Sequence, residues 1–65
     1  MGHIINITDN RYLVERTKEK PAGIWDGERS HARVYEKTEG KTIASYLNTN
    51  YREKYNIQVR FRKSW

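Results

Sequence analysis

Sixty-five residues, 35% hydrophobic and 32% charged, leave room for one domain with one modest core and no second unit. A chain this short buries only about 60% of the surface its unfolded form exposes, and the absence of cysteine excludes both disulfides and thiolate zinc sites as reinforcement. No segment approaches the length of a membrane span, and Met1 to Ile7 lack the basic and long apolar regions of a signal peptide, so a cytoplasmic protein is expected.

The formal net charge of +5 is unevenly spread. Residues 52–65 hold Arg52, Lys54, Arg60, Arg62 and Lys63 against Glu53, a balance of +4, and the remainder of the chain carries +1. A basic end of this kind suits an acidic partner, with nucleic acid first in line. A solvated strand face that keeps the protein soluble accounts for the same charges equally well.

In chain order, the first unit is a hairpin. His3–Thr8 and Arg11–Thr17 flank Asp9-Asn10, two residues that tolerate the left-handed backbone of a two-residue turn. With that turn, Ile7 faces Tyr12 and Ile5 faces Val14, giving one apolar face. Lys18–Gly23, with the lone proline Pro21, reads as a loop. Ile24-Trp25 then lead to Asp26-Gly27, a second hairpin-turn signal. A longer strand is expected over Ser30–Lys37, with Ala32 and Val34 on one side and His31, Arg33, Tyr35 and Lys37 on the other.

Lys41–Tyr55 reads as the single helix, since Ile43, Ala44, Leu47, Tyr51 and Tyr55 recur at helical spacing. Glu39 before it and Arg52 and Lys54 in its last turn complement the helix dipole, and Asn56 suits a left-handed cap. Asn48, Thr49 and Asn50 are poor helix formers that invite fraying or a bend. Ile57–Lys63 alternates, with Ile57, Val59 and Phe61 opposed to Gln58, Arg60 and Arg62. The expected fold is α+β, in β-β-β-β-α-β order: a small, mostly antiparallel sheet of four or five strands with one helix on one face. The last strand–helix–strand unit is long enough for a right-handed crossover between parallel strands. Such a helix covers Ala32, Val34, Ile57, Val59 and Phe61 and leaves the opposite face basic.

That face is the leading functional signal. Arg33, Lys37, Arg60, Arg62 and Lys63 would contact phosphates, and the Tyr35 ring would stack on an unpaired base. Outward arginines and lysines are also ordinary on strands, where they protect an edge. Gly40-Lys41-Thr42 at a strand-to-helix passage resembles the end of a phosphate-binding loop, but the glycine required five positions earlier is Tyr35, so a nucleotide-hydrolysing site is rejected. A helix start with Lys41 could still hold one backbone phosphate, although an ordinary helix start is favoured.

Catalysis is not expected. His3 and His31 lack metal-ligand spacing, Glu28 and His31 would point to opposite faces of a strand, and no serine sits in a nucleophile motif. Asp26 with Glu39-x-Lys41 faintly resembles a metal-dependent nuclease, but the lysine falls at a helix start. No cofactor or metal is implied. The rival to nucleic acid is a protein partner: a short adaptor or inhibitor docking on a larger enzyme, in the manner of small phage-encoded accessory proteins. Its anchors would be Tyr46, which lies outside the apolar helix stripe, the chain-terminal Trp65, and an unpaired sheet edge. Trp25 reads as packing rather than as a platform.

Overall fold

The computed structural model describes residues 1–63. It contains strands β1 (Gly2–Asn6), β2 (Arg11–Glu15) and β3 (Ile24–Asp26), a 3-10 turn (Arg29–His31), helix α1 (Lys37–Tyr55) and strand β4 (Val59–Lys63). The sheet is antiparallel throughout, in the order β3-β2-β1-β4, with the helix packed over β4 and β1. The fold is therefore the α+β arrangement of one helix on a small antiparallel sheet.

Alternation sets the core. Ile4 on β1, Leu13 on β2 and Val59 on β4 meet Ala44 and Leu47 of the helix, and Ile57 and Tyr35 complete the cluster. Ile4, Leu13 and Leu47 are fully enclosed. As the second strand in from the β4 edge, β1 is covered on both faces, so Ile5 is buried on the side away from the helix, and His3 packs its ring edge-on to Tyr12 at 5.0 Å. The pairing differs from the expected hairpin register. Ile5 lies opposite Tyr12, and Asn6 opposite Arg11, so Ile7–Asn10 form a four-residue connection. Asn10 takes the left-handed conformation (φ 57°), and the Asn6 side chain accepts the Thr8 N–H, which starts the turn earlier than Asp9.

The strand expected over Ser30–Lys37 does not form. The Asp26 carboxylate accepts the Glu28 N–H at 2.7 Å and pairs with His31 Nδ1 at 2.9 Å. This closes a local turn that sends the chain into the 3-10 segment instead of back along β3. What remains of the strand is a single bridge, in which Tyr35 and Gly2 exchange both backbone hydrogen bonds (2.9 and 2.7 Å). Arg33 N–H bonds the Leu13 carbonyl nearby. Val34 is exposed and the helix does not cover it. The Tyr35 bridge and β4 both run antiparallel to β1 and flank it. They are parallel to each other, but with β1 between them, so the helix crosses over an intervening strand.

The helix begins four residues earlier than its apolar pattern suggested. The Gly40 N–H bonds the Glu36 carbonyl at 2.7 Å, so Gly40-Lys41-Thr42 lies inside the helix. Glycine is a poor helix residue, yet here a Cβ would overlap the Phe61 ring. Asn48, Thr49 and Asn50 neither fray nor break the helix. The Asn48 amide donates to the Val59 carbonyl at 2.8 Å and accepts the Val59 N–H at 2.7 Å, tying helix to edge strand. Asn56 caps the C-terminus in the left-handed conformation (φ 53°, ψ 44°) as expected, whereas Tyr55 is half exposed rather than part of the buried stripe.

Two outcomes follow from this packing. Leu47→Ala should cost about 2–5 kcal/mol in urea denaturation, enough to threaten a domain of this size; a parent-like midpoint would mean that Leu47 is not part of the core. Asn48→Ala should cost about 1–3 kcal/mol, because the part-buried Val59 amide and carbonyl lose their partner together. A negligible change would show that water replaces the side chain at the edge.

Candidate nucleic-acid interface

One face of α1 is built for the edge of the sheet. Ala44 and Asn48 point down to β4, and Lys41, Ser45, Thr49 and Arg52 follow the same side at helical spacing. Between this side of the helix and Gln58–Phe61 runs an open groove of about 530 Å³. Lys41, Arg52 and Arg60 line it, with Ser45, Asn48, Thr49 and Gln58 supplying neutral polar groups; no acidic residue does.

The edge strand adds backbone groups. In an antiparallel strand the N–H and C=O of one residue point the same way, and successive residues alternate. Those of Val59 point away from β1 and are taken by Asn48. Those of Phe61, two residues on in an unbroken register, point the same way, into the groove. A cationic groove with a backbone N–H and hydroxyls is suited to phosphate oxygens.

The structure disperses the expected basic face. Tyr35 is 5% exposed and lies in the core, because its pairing with Gly2 turns the ring to the helix side; burial raises its pKa. It cannot stack on a base. Arg33 lies outside any strand, with its guanidinium 5.4 Å from the Tyr35 ring centre. Lys37 is the first residue of α1, not a strand residue. Lys41 lies in the helix interior, which removes the helix-start phosphate site but makes it a lining residue of the groove.

Arg60, Arg62 and Lys63 do lie on β4, opposite Ile5, His3 and Gly2. Arg60 borders the groove, and Arg62 is one of two cations that depress the pKa of His3. Arg52, which the sequence places in the basic C-terminal end and in the last helix turn but not among the expected phosphate contacts, also lines the groove. Its place eleven residues after Lys41 on the same helix side was the available signal.

Tyr46 is 42% exposed, as its place outside the stripe suggests, but it is not bare. The Arg16 guanidinium lies 4.9 Å from its ring centre, and the Tyr51 ring is 6.0 Å away. Trp25 is half buried, packs on the core, and donates its indole N–H to the Ala22 carbonyl at 3.0 Å. Trp65 lies outside the described residues. Among those described, no helix is long and apolar enough to cross a membrane.

The two histidines respond oppositely to pH. Desolvation, then Arg29 and Arg62, lower the pKa of His3, whereas the hydrogen bond to Asp26 and its charge raise that of His31. Stability from His3 is complete above its unfolded value, about 6.5, and is lost as pH falls through the lower folded value. Stability from His31 is present below about 6.5 and is lost as pH rises through its raised folded value. His31→Ala removes the compensating group. The variant should therefore lose more stability than the parent between about pH 7.5 and 5.5, as read by urea midpoints. Equal losses would show that the exposed His31–Asp26 pair contributes nothing.

No family model, curated protein or solved structure matches this chain.

Proposed function

We propose that the protein is a small nucleic-acid-binding module that holds the phosphate backbone in the groove between α1 and β4, and that it binds without catalysing a reaction. The observation that carries this reading is the acid-free lining, in which Lys41, Arg52 and Arg60 border one groove together with polar side chains and the strand edge. Like charges held together by a fold repel one another, and a polyanion relieves that repulsion while releasing its own counterions. Arg62 and Lys63 extend the same charge along β4. A cytoplasmic place of action belongs to this reading, in keeping with a chain that has no cysteine.

A protein partner is the second reading, and the half-exposed Tyr46 beside Tyr51 and Arg16 is what favours it. Tyrosine and arginine are common anchors at interfaces.

A salt titration of fluorescent single- and double-stranded oligonucleotides separates the two. Three phosphate contacts give a log–log slope near about −2 on single strands and about −3 on duplex. Lys41→Gln and Arg52→Gln should each lower the slope by roughly one contact and weaken all sequences alike. Arg33→Gln, outside the groove, should change nothing. Absence of binding at low salt would leave the protein-partner reading in front, and binding that depends on Arg33 but not on Arg52 would move the site.

A further inference from the structure

Near the C-terminal end of α1, a second cavity of about 330 Å³ opens between the 19–23 loop and the helix end. Its size falls in the range of small-ligand sites, roughly 300–1,000 Å³. Trp25 and Tyr55 line it with Ile57, which is buried. Both rings are held by neighbouring residues. The Trp25 indole N–H is bonded to Ala22, and Tyr55 leans on Tyr51 with ring centres 5.7 Å apart.

Asn6 also lines this cavity and is only 3% exposed. Its Oδ1 accepts the backbone N–H groups of Thr8 and Gln58, each at 3.2 Å. Two donors on one oxygen fix which way the amide points. Nδ2 has no hydrogen-bond partner among the described residues, and no fully enclosed side-chain nitrogen or oxygen there lacks one. The Nδ2 group therefore reaches accessible space, and the space that Asn6 borders is this cavity. A cavity lined by two aromatic residues and an amide donor suits a flat ring that carries a carbonyl or ring-nitrogen acceptor. The lining sets Arg11 and Lys20 against Asp9 and Glu19, so it carries no net charge and suits a neutral group.

We infer that this cavity is a receptor for one unpaired nucleobase, packed against Trp25 and Tyr55 and hydrogen-bonded by Asn6 Nδ2. The inference rests on the nucleic-acid reading above and adds a preference for single strands, because only an unstacked base can enter. Gln58 borders the groove and the adjacent Ile57 borders the cavity, so a strand whose phosphates lie in the groove has the cavity near the end of its path.

The test uses the full chain carrying Trp65→Phe, so that Trp25 is the single indole. Its indole N–H resonance is followed on adding uridine 5′-monophosphate, an oligo(dT) strand, a duplex of equal length, and N-acetyltryptophanamide as a stand-in for a protein side chain. The expected result is a saturable Trp25 shift with uridine 5′-monophosphate and with oligo(dT). Tyr55→Ala, at a half-exposed position, should leave melting unchanged, weaken the single strand at least about fivefold and spare the duplex. Asn6→Asp keeps the acceptor for Thr8 and Gln58 but removes the donor, and it should weaken the single strand likewise.

A silent Trp25 with equal single-strand and duplex affinity overturns the base receptor and leaves the phosphate groove standing. A Trp25 shift with uridine 5′-monophosphate that survives Lys41→Gln and Arg52→Gln, when oligonucleotide affinity does not, supports the receptor independently of the groove. A shift with N-acetyltryptophanamide alone overturns it in favour of a protein side chain, and a silent Trp25 together with no measurable affinity for either oligonucleotide overturns both proposals.

Discussion

The ring of Phe61 determines how closely the helix approaches the sheet. It lies against Gly40 on the helix and Gly2 on β1, and a Cβ at either glycine would collide with it. Opposite Ile4 in the register, it extends the apolar layer toward the open edge of the sheet, where the core cluster would otherwise end. The close approach lets Asn48 reach the Val59 backbone, and that contact sets the helix alongside the strand edge rather than across it. The groove, its cations and its exposed backbone groups all result from this seating.

Such a surface has a clear electrostatic character. An edge strand is ordinarily a liability, since its free N–H and C=O groups invite pairing with another chain. Here the edge is blunted twice, by the Asn48 side chain on Val59 and by Arg60, Arg62 and Lys63 along the strand. On the proposed reading, the same charges that discourage a second copy would attract a polyanion. A long flexible anion could follow the groove without matching the hydrogen-bond spacing of a strand, so protection of the edge is compatible with the proposed phosphate binding.

Much of the architecture is legible from alternation and helical spacing. Ile57, Val59 and Phe61 read as one strand face, Leu47 as part of the apolar helix stripe and Asn56 as the helix cap. Tyr35 was not, because its inward direction comes from one long-range bridge to Gly2 that has no local signature. Val34 and Arg33 follow the same segment, whose strand-like pattern is overridden by the side chain of Asp26. The helix start was obscured because Gly40 lowers helix propensity where tertiary packing requires it. For the site, the sequence places Lys41 at a helix start and Arg60 on a strand face, with nothing to join them. They border one groove, with Arg52, only when helix and edge strand are side by side. The Asn6 donor depends on two backbone amides, one of them 52 residues away along the chain, and no periodicity reports it.

The position of β1 bears on the order of folding. The strand built from Gly2–Asn6 pairs on one side with β2, a few residues on, and on the other with β4, near the far end of the described chain. During synthesis the β1–β2 hairpin can form early, but one edge of β1 stays open until residues 59–63 have left the ribosome. Closing that gap requires an almost chain-long loop, a high-contact-order step that slows folding relative to the local helix. Until then Ile4 and Ile5 present an apolar strand edge to the surroundings, so the period of greatest aggregation risk lies between completion of the hairpin and arrival of the basic strand.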